Sequence, residues 1–176
     1  MTTLTAKRIV THKRPDVDAL VSVWLAESYL FSGHPVKVEF LDYAVDVEQL
    51  DDVDCVVDLG GVYCRKRQLF DHKPPAFTDR HAHCAAGLLW RYLRRRNHPV
   101  HHLADLVRLV HDGDSVKRRA GSAAYRRSRR EGLHAAVADW KLSGVSDARL
   151  YQRTKAWLNH RFNVLDEFRD TEHLTH

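Results

Sequence analysis

The segment THKRPDVDAL, residues 11–20, places one imidazole and two carboxylates close together: His12, Asp16 and Asp18. The same residue types recur at Asp58 in CVVDLGG, at Asp71 and His72 in RQLFDHK, and at Asp112 and Asp114 in LVHDGDS. Carboxylates crowded into a cleft repel one another and lose hydration, so they stay ionised only with cations among them. A divalent metal supplies that charge. Oxygen and imidazole donors without a thiolate suit Mn²⁺ or Mg²⁺, with Co²⁺ also possible, better than structural zinc. Two ions about 3.5–4 Å apart that share one carboxylate are the usual apparatus for hydrolysing phosphate esters.

These groups can act together only if the chain folds them onto one rim. Residues 8–12 are β-branched and read as a buried strand, followed by a helix over 18–31. The run at 36–41 alternates as a second strand, and 43–54 is a connection with at most a helical turn. Residues 55–61 and 67–73 read as the third and fourth strands. Helical periodicity then covers 83–96, 101–115, 131–143 and 146–170, with Ser146 or Asp147 capping the last helix. Strands alternating with helices imply an α/β fold: a parallel sheet with helices on both faces, followed by a small helical C-terminal cap. Ligands of such sheets bind beyond the C-terminal ends of the strands, where His12, Asp58, Asp71 and His72 fall. The domain division follows: an α/β metal-binding domain over 1–115, then a basic linker and helical region over 116–176.

Composition narrows the partners. The 176 residues carry a formal net charge of +5, and most of the excess lies between Arg91 and Arg130. Lys117, Arg118 and Arg119 open a basic run placed directly after the acidic turn, which suits phosphate contacts. No apolar stretch is long enough to span a membrane, and the N-terminal residues lack the apolar run of a secretion signal, so a cytoplasmic protein is expected. Cys55, Cys64 and Cys84 form no C-x-x-C pair and read as thiols of the interior. Trp24, Trp90, Trp140 and Trp157 sit in helical patterns and read as core. The last helical pattern packs on its own domain or on a second copy of the chain.

Four motifs in this order resemble the DHH phosphoesterase superfamily. THKRPDVDAL resembles its first motif, VVDLGG its second, FDHK its Asp-His-His motif, and LVHDGDS stands in the place of the fourth. The stretch DLGGVYCRKRQLFDHKPP and the helix CAAGLLWRYL are similar to the MYG-type exonuclease branch. The resemblance covers residues 8–115. It implies that His12, Asp16 and Asp58 hold a first metal, and that Asp18, Asp58, His72 and Asp112 hold a second, with Asp58 bridging. It also implies that Asp71 orients His72. From the residues themselves, Asp112 and Asp114 compete as the acidic ligand of LVHDGDS; Asp112 is favoured because it comes at the helix end, with Asp114 bracing a neighbour or capping a helix as the alternative.

Two departures matter. Lys73 stands where the family has a histidine associated with the substrate phosphate, and no Gly-Gly-Gly-His-like segment follows. Lys73 can touch an anionic oxygen as a point charge but is no neutral acid at pH 7. Asp58, His72 and Lys73 are thus the expected catalytic residues, with Lys73, Lys117, Arg118 and Arg119 on the substrate phosphate. The expected activity is two-metal hydrolysis of phosphodiesters in short nucleic acids or nucleotides. Its rivals are a degenerate module that binds nucleic acid, nucleotide or a protein without catalysis, and a pyrophosphatase-like hydrolase of small phosphates.

Overall fold

Ile9 and Val10 are both fully buried, although they point to opposite faces of one strand. Ile9 joins the larger apolar cluster and Val10 a smaller one behind the sheet. The strand β1 (Lys7–His12) is therefore covered on both sides, as a central parallel strand must be. The computed structural model describes residues 5–73, 83–114 and 132–162. Among these, the sheet has five strands: β1, β2 (Val36–Leu41), β3 (Cys55–Val57), β4 (Tyr63–Cys64) and β5 (Leu69–Phe70), in the order β2-β1-β3-β5-β4. Every neighbouring pair is parallel except β4 with β5.

The α-helices among the described residues are α1 (Val17–Leu25), α2 (Ala85–Arg95), α3 (Ala104–Asp114), α4 (Leu133–Leu142) and α5 (Asp147–Phe162). Every residue of α1 is buried, so this helix has no solvent face. It lies between the sheet and the other helices, packing on β1, β3, α2, α3, α4 and α5. Leu133, Val137, Leu150, Tyr151 and Leu158 of the C-terminal helices belong to the same apolar cluster as α1. Polar ties add register: Trp24 Nε1 donates to Asn159 at 2.7 Å, and Glu27 accepts from the Tyr151 hydroxyl and, at 3.1 Å, from Lys155.

Helices on both faces were expected; among the described residues, the apolar cluster on the second face includes no α-helical residue. There Val10, Val56 and Leu69 pack under Leu59, in the turn after β3, and Val47, on the connection between β2 and β3. That connection has room for only a 3₁₀ turn, Val47–Gln49, within the described residues. Its side is dictated by handedness. The chain moves one way from β1 to β2 and back past β1 to β3, so two right-handed crossovers cover opposite faces. The third and fourth strands are also shorter than expected. β3 ends at Val57 because Asp58, Gly60 and Gly61 all take left-handed conformations that leave the sheet. β5 ends at Phe70, which puts Asp71 and His72 just beyond it. The edge strand β4 was not expected, because its two residues are too short a pattern to show a period. Ser146 caps α5 by accepting from Arg149 N at 3.3 Å. Trp24 is buried and the other three tryptophans pack against the core. The cysteines are free thiols, Cys55 and Cys84 buried and Cys64 half-buried. No helix among the described residues is long and apolar enough to cross a membrane.

Gly60 is the point where the two covers meet. A Cβ there would lie 2.4 and 2.6 Å from the Val47 methyl carbons, at a φ of +86°. Gly60→Ala is expected to cost about 2–3 kcal/mol in urea denaturation, from overpacking added to left-handed strain. Gly33→Ala, at φ +77° with open space around it, is expected to cost only about 1 kcal/mol.

Candidate metal centre

Parallel strands end on the same side, so the groups that follow β1, β3 and β5 meet at one rim. His12 closes β1, Asp58 follows β3, and Asp71 and His72 follow β5. The turn into α1 adds Asp16 and Asp18, and the last residue of α3 adds Asp114. Among the described residues, three sets have ligand atoms within 4.8 Å of one another: His12, Asp16 and Asp58; Asp18, His72 and Asp114; and Asp58, Asp71 and His72. Asp58 links the first set to the third, and its two oxygens face different ways. Oδ2 lies 3.2 Å from His12 Nε2, while Oδ1 lies 3.6 Å from His72 Nε2. His72 Nε2 is also 3.5 Å from Asp114 Oδ2 and 4.0 Å from Asp18 Oδ2.

Several of these side chains also do structural work. Asp16 Oδ1 caps α1 by accepting from Ala19 N at 3.0 Å. Asp18 accepts from Ala85 N at 2.7 Å and Ala86 N at 2.8 Å, which docks the N-terminus of α2 onto α1. Burial, together with the charges of Asp58, Asp16 and Asp114, still pushes the Asp18 carboxyl well above the usual carboxylate range. Asp114 is raised in the same direction, chiefly by burial, with His72 opposing. Asp58 behaves differently. Burial pushes it up, but the His12 hydrogen bond and the Lys73 charge outweigh this and hold it below its ordinary value.

His12 Nδ1 is 2.8 Å from the Lys13 carbonyl, which can only accept, so Nδ1 carries a proton and Nε2 faces Asp58. Burial opposes the imidazolium, yet the Asp58 and Lys13 hydrogen bonds raise the His12 pKa on balance. Asp71 binds two turns together, accepting from Gly61 N at 2.8 Å and Lys73 N at 3.0 Å. Lys73 Nζ sits 2.6 Å from Asp58 Oδ1 and 3.8 Å from Asp71 Oδ1. Burial opposes its charge, but those two carboxylates prevail and hold the ammonium protonated.

Asp112, the expected acidic ligand of α3, is in none of the three sets and lies 3.6 Å from His111 Nδ1. Asp114 takes that place. Successive helical residues turn by about 100°, so positions two apart point nearly opposite ways and only one meets the rim. Lys117, Arg118 and Arg119 lie outside the described residues. Two rim features escaped sequence reasoning. Tyr43 stacks on His12 with ring centroids 4.5 Å apart, its hydroxyl 2.8 Å from Nδ1. Burial and the Asp58 and Asp16 charges raise its pKa to about 12. Its position just past the end of β2 was a usable signal, since Leu41 pairs with His12. Asp147 Oδ2, from the start of α5, accepts from Arg14 N at 3.0 Å and ties the His12–Asp16 turn to the C-terminal helices.

The donor set fits a divalent cation. It holds only carboxylates and imidazoles; the His12–Asp58 spacing of 3.2 Å falls within, and the His72 spacings of 3.5–4.0 Å somewhat above, the roughly 3.0–3.4 Å expected between donors at right-angle or tetrahedral positions on bonds of about 2.1 Å. Comparison with protein-family models, with curated proteins and with solved structures found no match to this chain.

The choice between the two acidic residues of α3 has a direct test. In calorimetric titration with Mn²⁺, Asp114→Asn is expected to weaken binding by at least about tenfold. Asp112→Asn is expected to change it by less than about twofold.

Proposed function

We propose that this protein is a divalent-metal-dependent phosphoesterase acting on phosphodiester bonds in short nucleic acids or nucleotides. The observation that carries this reading is the convergence of His12, Asp16, Asp18, Asp58, His72 and Asp114, drawn from separate elements, on one sheet rim. The resemblance of residues 8–115 to the DHH phosphoesterase superfamily supports it. His12, Asp16 and Asp58 would hold one ion, and Asp18, His72 and Asp114 with Asp58 the other. When bound, such ions acidify a coordinated water and offset charge on phosphoryl oxygens. The protein's own residues do the rest. The Lys13 carbonyl fixes the His12 tautomer, the α2 amides fix the Asp18 carboxylate, and Asp71 holds the 58–61 and 71–73 turns together. Lys73, cationic and with its side chain 44% exposed, is placed to meet an anionic oxygen as a charge.

One observation favours a second reading, a binding module without turnover. Lys73 already gives Asp58 a cation at 2.6 Å, which competes with an ion for the same oxygen. The two readings separate on turnover. Under the phosphoesterase reading, hydrolysis of an activated aryl phosphodiester requires Mn²⁺, Mg²⁺ or Co²⁺. Asp58→Asn then lowers the rate by at least about a thousandfold with unchanged circular dichroism. Ligand binding with no hydrolysis in any of the three metals overturns it in favour of the module.

Lys73→Met gives a complementary expectation. It strips the buried Asp58 carboxylate of one counter-charge, so the melting temperature without metal falls, by about 5 °C or more. Added Mn²⁺ then raises that temperature further in the variant than in the parent.

A further inference from the structure

A cavity of about 270 Å³ opens beside the candidate metal centre, between α1, α3 and α4. Asp16, Asp18 and Asp114 line it together with His134 and Lys141 of α4. His134 is buried against the last turn of α3. A Cβ at Gly113 would lie 2.0 Å from its Nε2, so a residue without a side chain is what lets the imidazole lie there. Lys141 Nζ donates to the Arg14 carbonyl at 3.1 Å, which holds the ammonium at the turn that carries His12 and Asp16. An imidazole and an ammonium of α4 thus share a cavity with Asp114 and with Asp16 and Asp18, which lie more than a hundred positions earlier in the chain.

We infer that this cavity binds the phosphoryl group of a small phosphate ester, with Lys141 and His134 of α4 contacting the anion. The inference rests on the metal-dependent reading above and names the substrate end of the same site. Two dications would balance Asp16, Asp18, Asp58 and Asp114; Lys73 faces the remaining carboxylate, Asp71, at 3.8 Å, and the Lys141 ammonium then leaves the cavity positive. N–H donors facing such ions suit phosphate oxygens, which accept several charge-assisted hydrogen bonds at once. Size bounds the class. The volume is just under the range of about 300–1,000 Å³ typical of small-molecule sites, so it admits one phosphate with a mononucleotide-sized or smaller group.

The test separates anion binding from metal binding. Each protein is titrated calorimetrically with Mn²⁺ alone, then, once loaded with Mn²⁺, with inorganic phosphate at sub-millimolar concentration. Lys141→Met and His134→Asn are each expected to weaken phosphate binding by about tenfold or more while Mn²⁺ uptake stays within about twofold of the parent. Lys141 is exposed, so its variant tests the idea even if His134→Asn folds poorly. Parental phosphate affinity in Lys141→Met overturns the inference alone. Loss of Mn²⁺ uptake together with phosphate binding in Lys141→Met overturns direct contact and makes this side chain a brace for the turn. No Mn²⁺ uptake by the unmodified protein overturns the metal centre and this inference with it.

Discussion

Asp18 and Asp58 are carboxylates that water scarcely reaches, at 2% and 1% exposure. Ionised carboxylates survive in such places only when hydrogen bonds or cations replace their hydration. Much of the rim's construction answers that requirement. Asp18 draws the first amides of α2, so the price of its burial is met by a helix terminus. Asp58 draws His12 from β1 and Lys73 from the turn after β5. The two solutions have opposite effects on protonation: amides alone leave Asp18 raised, whereas full charges keep Asp58 ionised.

This division shapes what the rim can do. Asp58 is the carboxylate already prepared to face positive charge on both of its oxygens, which is what a shared ligand requires. Under the proposed reading, Asp18 and Asp114 would gain most from a dication, because each is otherwise biased towards the neutral acid. Lys73 gives the protein an internal cation where the resembled family has an imidazole. It neutralises the buried Asp58 carboxylate, and under the proposed metal-dependent reading it would compete with an ion for the same oxygen.

Helix α1 carries this arrangement into the rest of the molecule. Buried on all sides, it presents Asp16 and Asp18 from its first turn and receives every other helix along its length. Those contacts reach the turn before it as well. Arg14 has a left-handed φ of 54°, its amide donates to Asp147, and its carbonyl accepts from Lys141. The C-terminal helices therefore share one core with the sheet and also hold the turn that bears His12 and Asp16.

Much of this was legible in the chain itself. Buried apolar runs that stop at His12, Asp58 and Asp71 mark strand ends, and parallel strands must end on one side. Sequence alone thus determined that a rim of imidazoles and carboxylates exists. It also determined most of its members, because a strand's terminus is a one-dimensional property. The choice of Asp114 over Asp112 depends on the angle at which α3 packs, the covering of the second face by a 3₁₀ turn depends on the sheet order, and the ion pair between Lys73 and Asp58 depends on which rotamer the closed rim admits. The approach of Lys141 to Arg14 belongs with these, since nothing local in either segment refers to the other. Only the tertiary structure decided them, because each depends on distances between elements that are remote along the chain, which local propensity and periodicity do not encode.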